Sequence, residues 1–404
     1  MKKLKILSCD KAVTFILGGG INGLGIVRGL AENKIPCVVI DTDKDISFFS
    51  RHTCGLICPN PVTNESEFVK FLIELGKKLK TRGLIWPTND SYLKLISKNI
   101  KFLGRWFVLP ILPWDHLKVM LNKNLLYQFA ARNEIPHPET IRFANVEKIF
   151  VSDISIKYPI IIKPAETIGF KAAVGEKVLI AKTIEDLEYY IEKIKISEFV
   201  DKPILLQEYV PGDIDALYTF TSYADKNSNV ICYSIGHKIR QSPPETGTII
   251  SGRVVHIEEI LKIGCHFIKA AKFIGVSNIE FKRDSNSGQY KLIEINPRSG
   301  IWNYSSTANG VNIPFITYMD VIENTSLESC NQKKEIVWFI SILDFFLSVI
   351  GFKKKGYKSY HLTLNKWLYS VKGKKVDAVF KLNDPGPFVC YLLILLKKIL
   401  NLHE

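Results

Sequence analysis

The feature that most constrains the fold is a regular alternation of short apolar runs with amphipathic runs over the first 110 residues. Strand-like runs such as VTFIL, CVVIDT, GLIWPT and WFVLP are separated by helix-like runs such as GLGIVRGLAEN and EFVKFLIELGKKL. Strands that alternate with helices form parallel sheets, because the crossover helices pack on the faces of the sheet. We therefore predict an N-terminal α/β domain with a parallel sheet.

The pattern then changes to strands that are joined mainly by turns. Apolar runs such as YPIIIKPA, PILLQEYV, LYTFTSYA and VICYSIGHKIR indicate strands, and SNIEF and QYKLIEINPR flank the turn-rich RDSNSG and predict a hairpin. Apolar residues at helical spacing predict one helix over residues 115–134 and two more near residues 184–194 and 257–274. This part of the chain is therefore expected to be an α+β region.

Composition argues for a folded cytoplasmic protein that does not bind nucleic acid. The net charge is +14, but the 54 Lys and Arg residues are scattered and form no nucleic-acid-binding module. The eight cysteines mostly lie in apolar runs without a regular framework, which is typical of a reducing compartment. The N-terminus has no apolar segment followed by a cleavage site, so we expect no export.

Two very apolar pieces, VWFISILDFFLSVIGF and PFVCYLLILLKKIL, lie beyond about residue 325. Each is shorter than the roughly 20 residues that a helix needs to cross a bilayer. Two interpretations stay open. The pieces are helices buried against the main body, or they attach to the surface of an anionic membrane with help from neighbouring lysines.

A glycine-rich loop follows the first predicted strand. Residues 18–23 satisfy G-x-G-x-x-G between a strand and a helix, and Asp41 lies near the end of the next strand. Such glycines let an anion approach the helix N-terminus, and Asp41 could hold a ribose. On its own the loop fits a dinucleotide, but a phosphate or a carboxylate would fit it equally well.

Nucleotide-binding candidates follow in the second region. Lys163 ends the apolar strand YPIII, where a lysine has few partners other than an anion such as a polyphosphate, and Lys123 is ambiguous alone. Residues 207–210 end another strand, where backbone groups can read a purine edge. Glu208 can accept from the exocyclic amine of adenine, and Asp215 can reach the ribose.

The run LIEINPR predicts a metal site. Glu294 and Asn296 are two apart in a strand and therefore share a face. If the hairpin is symmetric about its turn, Glu280 on the partner strand faces the same side. Two carboxylates and an amide suit Mg²⁺ that takes its remaining ligands from nucleotide phosphates and water. A slip of one residue would send Glu280 to the other face.

Three cations lie near these motifs in the sequence. Arg298 follows the metal-site strand directly, and Lys238 and Arg240 belong to the strand-like segment GHKIRQSPP. Cations are needed wherever phosphate oxygens and a developing acyl phosphate have to be neutralised. We therefore predict a catalytic role for all three.

Taken together and in this order, the five motifs at Lys123, IIIKP, QEYVPG, the Glu280 strand and EINPR resemble the ATP-grasp superfamily over about residues 10–320. The resemblance implies an α/β and α+β fold. Its parts are a Rossmann-like pre-ATP-grasp domain at residues 1–113, an ATP-grasp domain at residues 114–322 and a C-terminal extension at residues 323–404.

The resemblance also implies roles for individual residues. ATP is bound by Lys123, Lys163, Lys171, Gln207, Glu208, Tyr209, Val210 and Asp215. Mg²⁺, with Mn²⁺ as an alternative, is bound by Glu280, Glu294 and Asn296, while Arg298, Lys238 and Arg240 serve catalysis. The glycine loop becomes a wall of the acceptor site, with substrate contacts from Gly19, Gly20, Asn22 and Asp90. The phosphate-covering loop departs from the usual Gly- and Ser-rich pattern, and Lys171 could replace backbone contacts there.

Within the superfamily, the segments KIRQSPPETG and DAVFKLNDPGPF look most like carboxylate-amine ligases similar to D-aspartate ligase. The implied reaction is amide formation through an acyl phosphate, in which ATP becomes ADP and phosphate. The implied substrates are small or precursor-linked carboxylates and amines, including cell-wall and surface-polysaccharide precursors, and the implied assembly is a homodimer. The alternatives are a non-catalytic ATP sensor and an NAD-dependent oxidoreductase built on the glycine loop.

Overall fold

The computed structural model describes residues 9–165, 169–176, 178–244, 247–325, 332, 335–351 and 360–400. Within these residues, three sheets carry the fold. The strands are β1 (Thr14–Leu17), β2 (Cys37–Asp41), β3 (Cys54–Ile57), β4 (Gly83–Pro87), β5 (Phe107–Val108), β6 (Thr140–Phe143), β7 (Ile160–Pro164), β8 (Leu179–Ala181), β9 (Ile204–Glu208), β10 (Leu217–Ala224), β11 (Val230–Ser242), β12 (Thr248–Val255), β13 (Gly275–Arg283), β14 (Tyr290–Asn296), β15 (Val337–Phe339) and β16 (Lys375–Asp377).

The α-helices are distributed among and between these sheets. They are α1 (Ile21–Ala31), α2 (Glu65–Gly76), α3 (Asp90–Lys98), α4 (Ile100–Leu103), α5 (Trp114–Leu121), α6 (Lys123–Arg132), α7 (Phe170–Val174), α8 (Ile184–Lys195), α9 (Glu258–Ala270), α10 (Tyr304–Asn309), α11 (Ile313–Val321), α12 (Ser341–Phe346), α13 (Leu364–Ser370) and α14 (Gly386–Leu400).

The N-terminal sheet is parallel throughout, in the order β3-β2-β1-β4-β5, which confirms the predicted α/β pattern. Its central strands are fully buried, as their continuous apolar runs require. The strand order changes direction at β1, so the loops after β1 and β4 open a crevice beside the sheet. The glycine loop follows β1, and Asp90 begins the helix that follows β4.

The second sheet has four antiparallel strands in the order β6-β9-β7-β8. Helix α8 packs on this sheet through Leu187, Ile191 and Ile194, and a capping box at Thr183 fixes where the helix begins. Strands β7 and β9 are antiparallel neighbours, and Lys163 lies opposite Leu205, two residues from Gln207 on the same face of β9. Lys163 and Gln207, which belong to these two strands, therefore come within reach of each other.

The third sheet has seven strands in the order β14-β13-β10-β11-β12-β15-β16. Its first five strands lie between residues 217 and 296, whereas β15 and β16 come from the C-terminal extension at residues 323–404. The extension therefore completes this sheet. It also contacts the first domain, because Arg28 of α1 is buried and donates to the backbone carbonyls of Ala378 and Val379 and to Asp384.

Three helix predictions need comment. The single helix predicted over residues 115–134 is wrong, because α5 ends at Leu121 and the Asn122 side chain accepts from the Leu125 N–H to begin α6. The helix predicted at residues 257–274 is shorter, Glu258–Ala270. The apolar piece that starts at Val337 opens with a buried strand rather than a helix.

Among the described residues, none of the helices has the length and apolar composition that a membrane crossing requires.

Candidate active site

Two carboxylates lie opposite each other in the hairpin of β13 and β14. Glu280 pairs with Glu294, and Asn278 pairs with Asn296 in the same register. The register shifts by one residue between Glu280 and Phe281, which compensates for the asymmetry of the turn. Since cross-strand partners share a face, Glu280, Glu294 and Asn296 present three oxygen-bearing side chains on one side of the sheet.

Positive charge surrounds these two carboxylates. Burial and the nearby Glu280 raise the pKa of Glu294, whereas Lys123, Lys238 and Lys163 lower it. The Nζ of Lys238 lies 2.5 Å from the Glu280 carboxylate, and both groups are largely buried. We call these five residues the charge cluster. It contains three lysines and two carboxylates, so it carries an excess of positive charge that an anion can neutralise.

Lys163 is buried and held by side chains on two other elements. Its Nζ donates to Gln207 Oε1 at 2.7 Å and to the Tyr127 hydroxyl at 3.2 Å. Burial lowers the pKa of Lys163 to about 8, although Glu294 opposes the shift. The buried ammonium has no carboxylate directly bonded to it in this network. A polyphosphate would therefore stabilise its charged form.

Tyr127 connects the elements that carry the cluster, and the sequence analysis missed it. Its hydroxyl donates to the backbone carbonyl of Ile293 at 2.6 Å and accepts from Lys163. Burial raises the pKa of Tyr127 to about 12, so the hydroxyl keeps its proton at neutral pH. One signal could have revealed it, because Tyr127 is four residues after Lys123 and lies on the same side of α6.

The predicted adenine-binding residues differ in what their side chains contact. Gln207 faces Lys163, and its Nε2 donates to the Thr140 hydroxyl at 2.7 Å, so its side chain holds the lysine. Glu208 accepts from Lys291 and from the Glu139 N–H. The Tyr209 N–H donates to the Pro159 carbonyl at 3.3 Å, and the Val210 side chain is buried.

Asp215 lines a pocket of about 540 Å³ beside the loop that follows β9. The backbone carbonyl of Asp215 is hydrogen-bonded to Nε2 of His237 at 2.6 Å, and the His237 ring stacks on Tyr218. Arg283 also lines this pocket. His237 and Arg283 lie in the segments GHKIRQSPP and RDSNSG, but neither was predicted as a site residue, because their meeting at this pocket depends on the fold.

Arg298 connects the end of β14 to the first domain. Its Nε donates to the Asp90 carboxylate at 2.6 Å, and its Nη2 donates to Asn296 Oδ1 at 3.1 Å. The structure therefore brings together residues predicted separately as catalytic, metal-binding and substrate-binding. The Asp90 carboxylate is more than half exposed, so this contact lies at the open side of the site.

Arg240 lies apart from the charge cluster, although the sequence analysis grouped it with Lys238. Its Nε and Nη2 donate to the two oxygens of buried Asp344 at 2.6 and 2.7 Å, and its other bonds are to Ser370 and Ser251. The physical reason is a bulge in β11, because the register shifts between Lys238 and Arg240. The guanidinium has a structural role that binds β11 to the C-terminal extension.

Lys171 is exposed on the short helix α7, which lies between two left-handed glycines, Gly169 and Gly175. The part of the predicted phosphate-covering loop at residues 166–168 lies outside the described residues. The role of Lys171 in covering phosphates stays a prediction.

The polar groups of the glycine loop that a dinucleotide would need are already hydrogen-bonded within the protein. The Gly19 N–H donates to Asp41 Oδ2 at 2.6 Å, and Asp41 Oδ1 accepts from the Thr42 N–H and from the Tyr92 hydroxyl. Both oxygens of the carboxylate are therefore engaged within the protein. This arrangement disfavours a dinucleotide, which would need the Gly19 N–H for phosphate and Asp41 for ribose.

Two other predicted substrate residues, Gly20 and Asn22, belong to the same loop. Gly20 precedes α1 and lines an open pocket of about 470 Å³, which Tyr391 and Ile394 of α14 also line. The Asn22 amide donates to the carbonyls of Thr88 and Ser299, both at 2.8 Å. Asn22 thus connects the first domain to the loop after the metal-site strand.

Among the described residues, no group of three or more His, Cys, Asp or Glu side chains could hold a metal. The predicted metal site has two carboxylates and one amide, so it depends on further oxygen ligands from a nucleotide or water. The paired carboxylates fit Mg²⁺, because burial and the nearby Glu280 both raise the pKa of Glu294, and a bound cation would stabilise the charged form of both side chains.

Sequence comparisons identify related proteins. The family model described as "Carbamoyl-phosphate synthase L chain, ATP binding domain" matches residues 123–319. The D-aspartate ligase of Enterococcus faecium (strain Aus0004) is 23% identical over 339 residues, which cover 79% of each chain. The carbamoyl phosphate synthase large chain of Thermoanaerobacter sp. (strain X514) is 26% identical over 68% of this chain but only 24% of its own length.

Solved structures share the fold. N5-carboxyaminoimidazole synthetase from Staphylococcus aureus superposes with a TM-score of 0.64 and 18% identity over 90% of each chain. The L-amino acid ligase from Bacillus licheniformis gives a TM-score of 0.57 and 16% identity over 80% of this chain and 76% of its own. The biotin carboxylase domain of Hydrogenobacter thermophilus 2-oxoglutarate carboxylase, solved with MgADP, gives 0.62 and 18% over 80% and 73%.

The match to an ATP-binding family and the similarity to D-aspartate ligase indicate an ATP-dependent enzyme. The matching ATP-binding family covers Lys123, Lys163, Glu280, Glu294 and Arg298. The chain resembles ATP-grasp ligases, because residues 123–319 match the ATP-binding family and most of the chain is similar to D-aspartate ligase.

Proposed function

We propose that this protein joins a carboxylate to an amine at the expense of ATP, through an acyl phosphate. The observation that carries the proposal is the charge cluster, in which three lysines surround two carboxylates. An excess of buried positive charge suits a polyphosphate, and the paired carboxylates suit the divalent cation that accompanies it. The relatives named D-aspartate ligase and L-amino acid ligase support the same reaction class.

The reaction has two steps that balance without any other reactant. An oxygen of the substrate carboxylate attacks the γ-phosphorus of ATP, the bond from the γ-phosphorus to the β–γ bridging oxygen breaks, and ADP leaves. The amine then attacks the carbonyl carbon of the acyl phosphate. The bond from that carbon to the phosphate oxygen breaks, phosphate leaves, and the amine nitrogen loses a proton to give the amide.

The protein mainly positions and neutralises the reacting groups. We assign Lys163 and Lys123 to the ATP phosphates, with Gln207 and Tyr127 holding Lys163 in place. Arg298 is assigned to the transferring phosphoryl group, and its bond to Asn296 places it beside the predicted metal site.

Lys238 forms an ion pair with Glu280 and would add positive charge beside the transferring phosphoryl group. Glu280, Glu294 and Asn296 would hold Mg²⁺, or Mn²⁺ as an alternative. The ion supplies charge neutralisation on the phosphate oxygens when it is bound.

The substrates are proposed from the relatives and from the crevice beside the first sheet. Gly19 and Gly20 follow β1, and Asp90 begins the helix after β4. These residues would form the acceptor side, with Asn22 fixing its geometry through its bonds to Thr88 and Ser299. We propose an amino acid as the carboxylate and an amine carried by a cell-wall or surface-polysaccharide precursor. The proposed setting is the cytoplasm, and the proposed assembly is a homodimer.

The first experiment is ADP release from Mg·ATP by the purified protein. Aspartate and other amino acids of both configurations would be paired with amine acceptors that include peptide precursors. Glu294→Gln is the matched control, because it keeps the shape of the side chain and removes its charge. Turnover that depends on one pair of substrates and is lost in Glu294→Gln supports the proposal.

The sensor alternative makes a different prediction in the same experiment. A binding protein would hold ATP, as measured by calorimetry, but no pair of substrates would release ADP above the Glu294→Gln background. Absence of ATP binding would overturn the whole assignment.

A further inference from the structure

An exposed apolar surface lies on the C-terminal extension, in a part of the sequence that contributes no residue to the charge cluster. It is formed by the end of α12, the turn that follows it and helix α13. Between 36% and 77% of each of its six large apolar side chains is exposed. These side chains are Phe345, Phe346, Ile350, Leu364, Leu368 and Tyr369. We call this set the extension patch.

Direct contacts hold the parts of the extension patch together. The Phe345 ring meets the edge of the Trp367 ring at a centroid distance of 5.1 Å. The Leu362 N–H donates to the Ser348 carbonyl at 2.8 Å, which fixes the chain before α13 against the turn after α12. The ring of Trp367 also lies 6.5 Å from that of Phe339, so the patch rests on the edge of the seven-stranded sheet.

The charged side chains within the segment that carries this surface have one sign. Residues 345–376 contain eight lysines and no aspartate or glutamate. The described lysines of this segment, Lys366, Lys372, Lys374 and Lys375, are all exposed. The two flanking carboxylates are occupied, because Asp344 is buried against Arg240 and Asp377 accepts from the backbone N–H groups of residues 341, 379 and 380.

We propose that the extension patch docks the protein on the surface of an anionic lipid bilayer. Apolar and aromatic side chains bordered by lysines on a short helix match the boundary between headgroups and acyl chains. A second copy of the chain is a poor occupant. Two patches that face each other would each bring four exposed lysines from a segment, residues 345–376, that contains no carboxylate, and the like charges would repel.

The test is flotation of the full-length protein with vesicles of phosphatidylcholine, with and without phosphatidylglycerol. Each lysine near an anionic surface contributes about 1 kcal/mol, or roughly a fivefold change in affinity. The triple variant Lys372→Glu, Lys374→Glu, Lys375→Glu should therefore lose on the order of a hundredfold in affinity for the anionic vesicles. The apolar variant Leu364→Ser, Leu368→Ser should also bind more weakly.

The matched control is Lys77→Glu, Lys78→Glu, Lys80→Glu, which changes the net charge equally at an exposed site of the first domain. It should keep most of the binding, and all variants should keep the wild-type affinity for ATP. Equal losses in the two charge variants, or equal binding to vesicles without phosphatidylglycerol, would overturn the proposal. The proposal would also be overturned if the protein does not bind vesicles but forms a dimer that the Leu368→Asp substitution dissociates.

Discussion

The buried pair of Arg240 and Asp344 predicts a large and specific loss of stability. Asp344 accepts two bonds from the guanidinium, at 2.6 and 2.7 Å, and a third from the Trp367 indole N–H at 2.8 Å. The two side chains are 8% and 0% exposed. The variant Asp344→Ala leaves the guanidinium buried without its counter-charge. A change of this kind costs about 3–5 kcal/mol in the free energy of unfolding.

Urea unfolding followed by tryptophan fluorescence measures this loss, because Trp338 and Trp367 lie in the same region. The double variant Arg240→Met, Asp344→Leu should recover most of the stability, since it removes both buried charges together. The reasoning is refuted if Asp344→Ala stays within about 0.5 kcal/mol of the wild type. It is also refuted if Arg240→Met abolishes turnover while stability is unchanged, because Arg240 would then be catalytic.

Three further predictions concern the site and its support. Burial holds the pKa of Lys163 at about 8, and ATP should prefer the charged form, so ATP affinity should fall as pH rises through this value. Calorimetry should show that the ATP affinity of Lys163→Arg depends less on pH. An equal pH dependence in the wild type and the variant would contradict the assignment of Lys163 to the ATP phosphates. Tyr127→Phe leaves the Ile293 carbonyl without its donor and should cost about 1–3 kcal/mol in urea unfolding, whereas wild-type stability would count against this role. Gly236→Ala would place a Cβ 1.2 Å from the Trp302 ring and should lower the thermal midpoint clearly; an unchanged midpoint would show that the ring moves freely.

Periodicity predicted most of the first domain, because its strands are continuous apolar runs separated by amphipathic helices. It missed β3, whose four residues are only partly buried at the edge of the sheet. It also merged α5 and α6 into one helix. The apolar positions stay in phase across Asn122, and only the capping hydrogen bond of that side chain shows the break.

The C-terminal extension was harder to predict from sequence. Val337, Trp338 and Phe339 form a strand because an edge of the seven-stranded sheet is available to them, and this partner is distant in the chain. Their apolar pattern is equally compatible with a buried helix. The contact between Arg28 and Asp384 is likewise visible only in three dimensions.

Some features of the candidate site could be predicted from local sequence, and others depend on the fold. A period of two places Glu294 and Asn296 on one face, but the pairing of Glu280 with Glu294 also needs the one-residue register shift between Glu280 and Phe281, which symmetry about the turn does not predict. The direction of Arg240 depends on a bulge that no local motif announces. Gln207 alternates with Glu208 along β9, so its side chain faces Lys163, and this relation needs the neighbouring strand to be known.

The most direct test of the central claim follows oxygen-18 from the substrate carboxylate. Once ADP release has identified a substrate pair, the carboxylate is labelled and the released phosphate is analysed by mass spectrometry. An acyl phosphate requires one labelled oxygen to leave with phosphate, because that oxygen forms the bond to the γ-phosphorus. Labelled phosphate, absent with Glu294→Gln, is the predicted result. Unlabelled phosphate during amide formation would contradict the acyl phosphate mechanism.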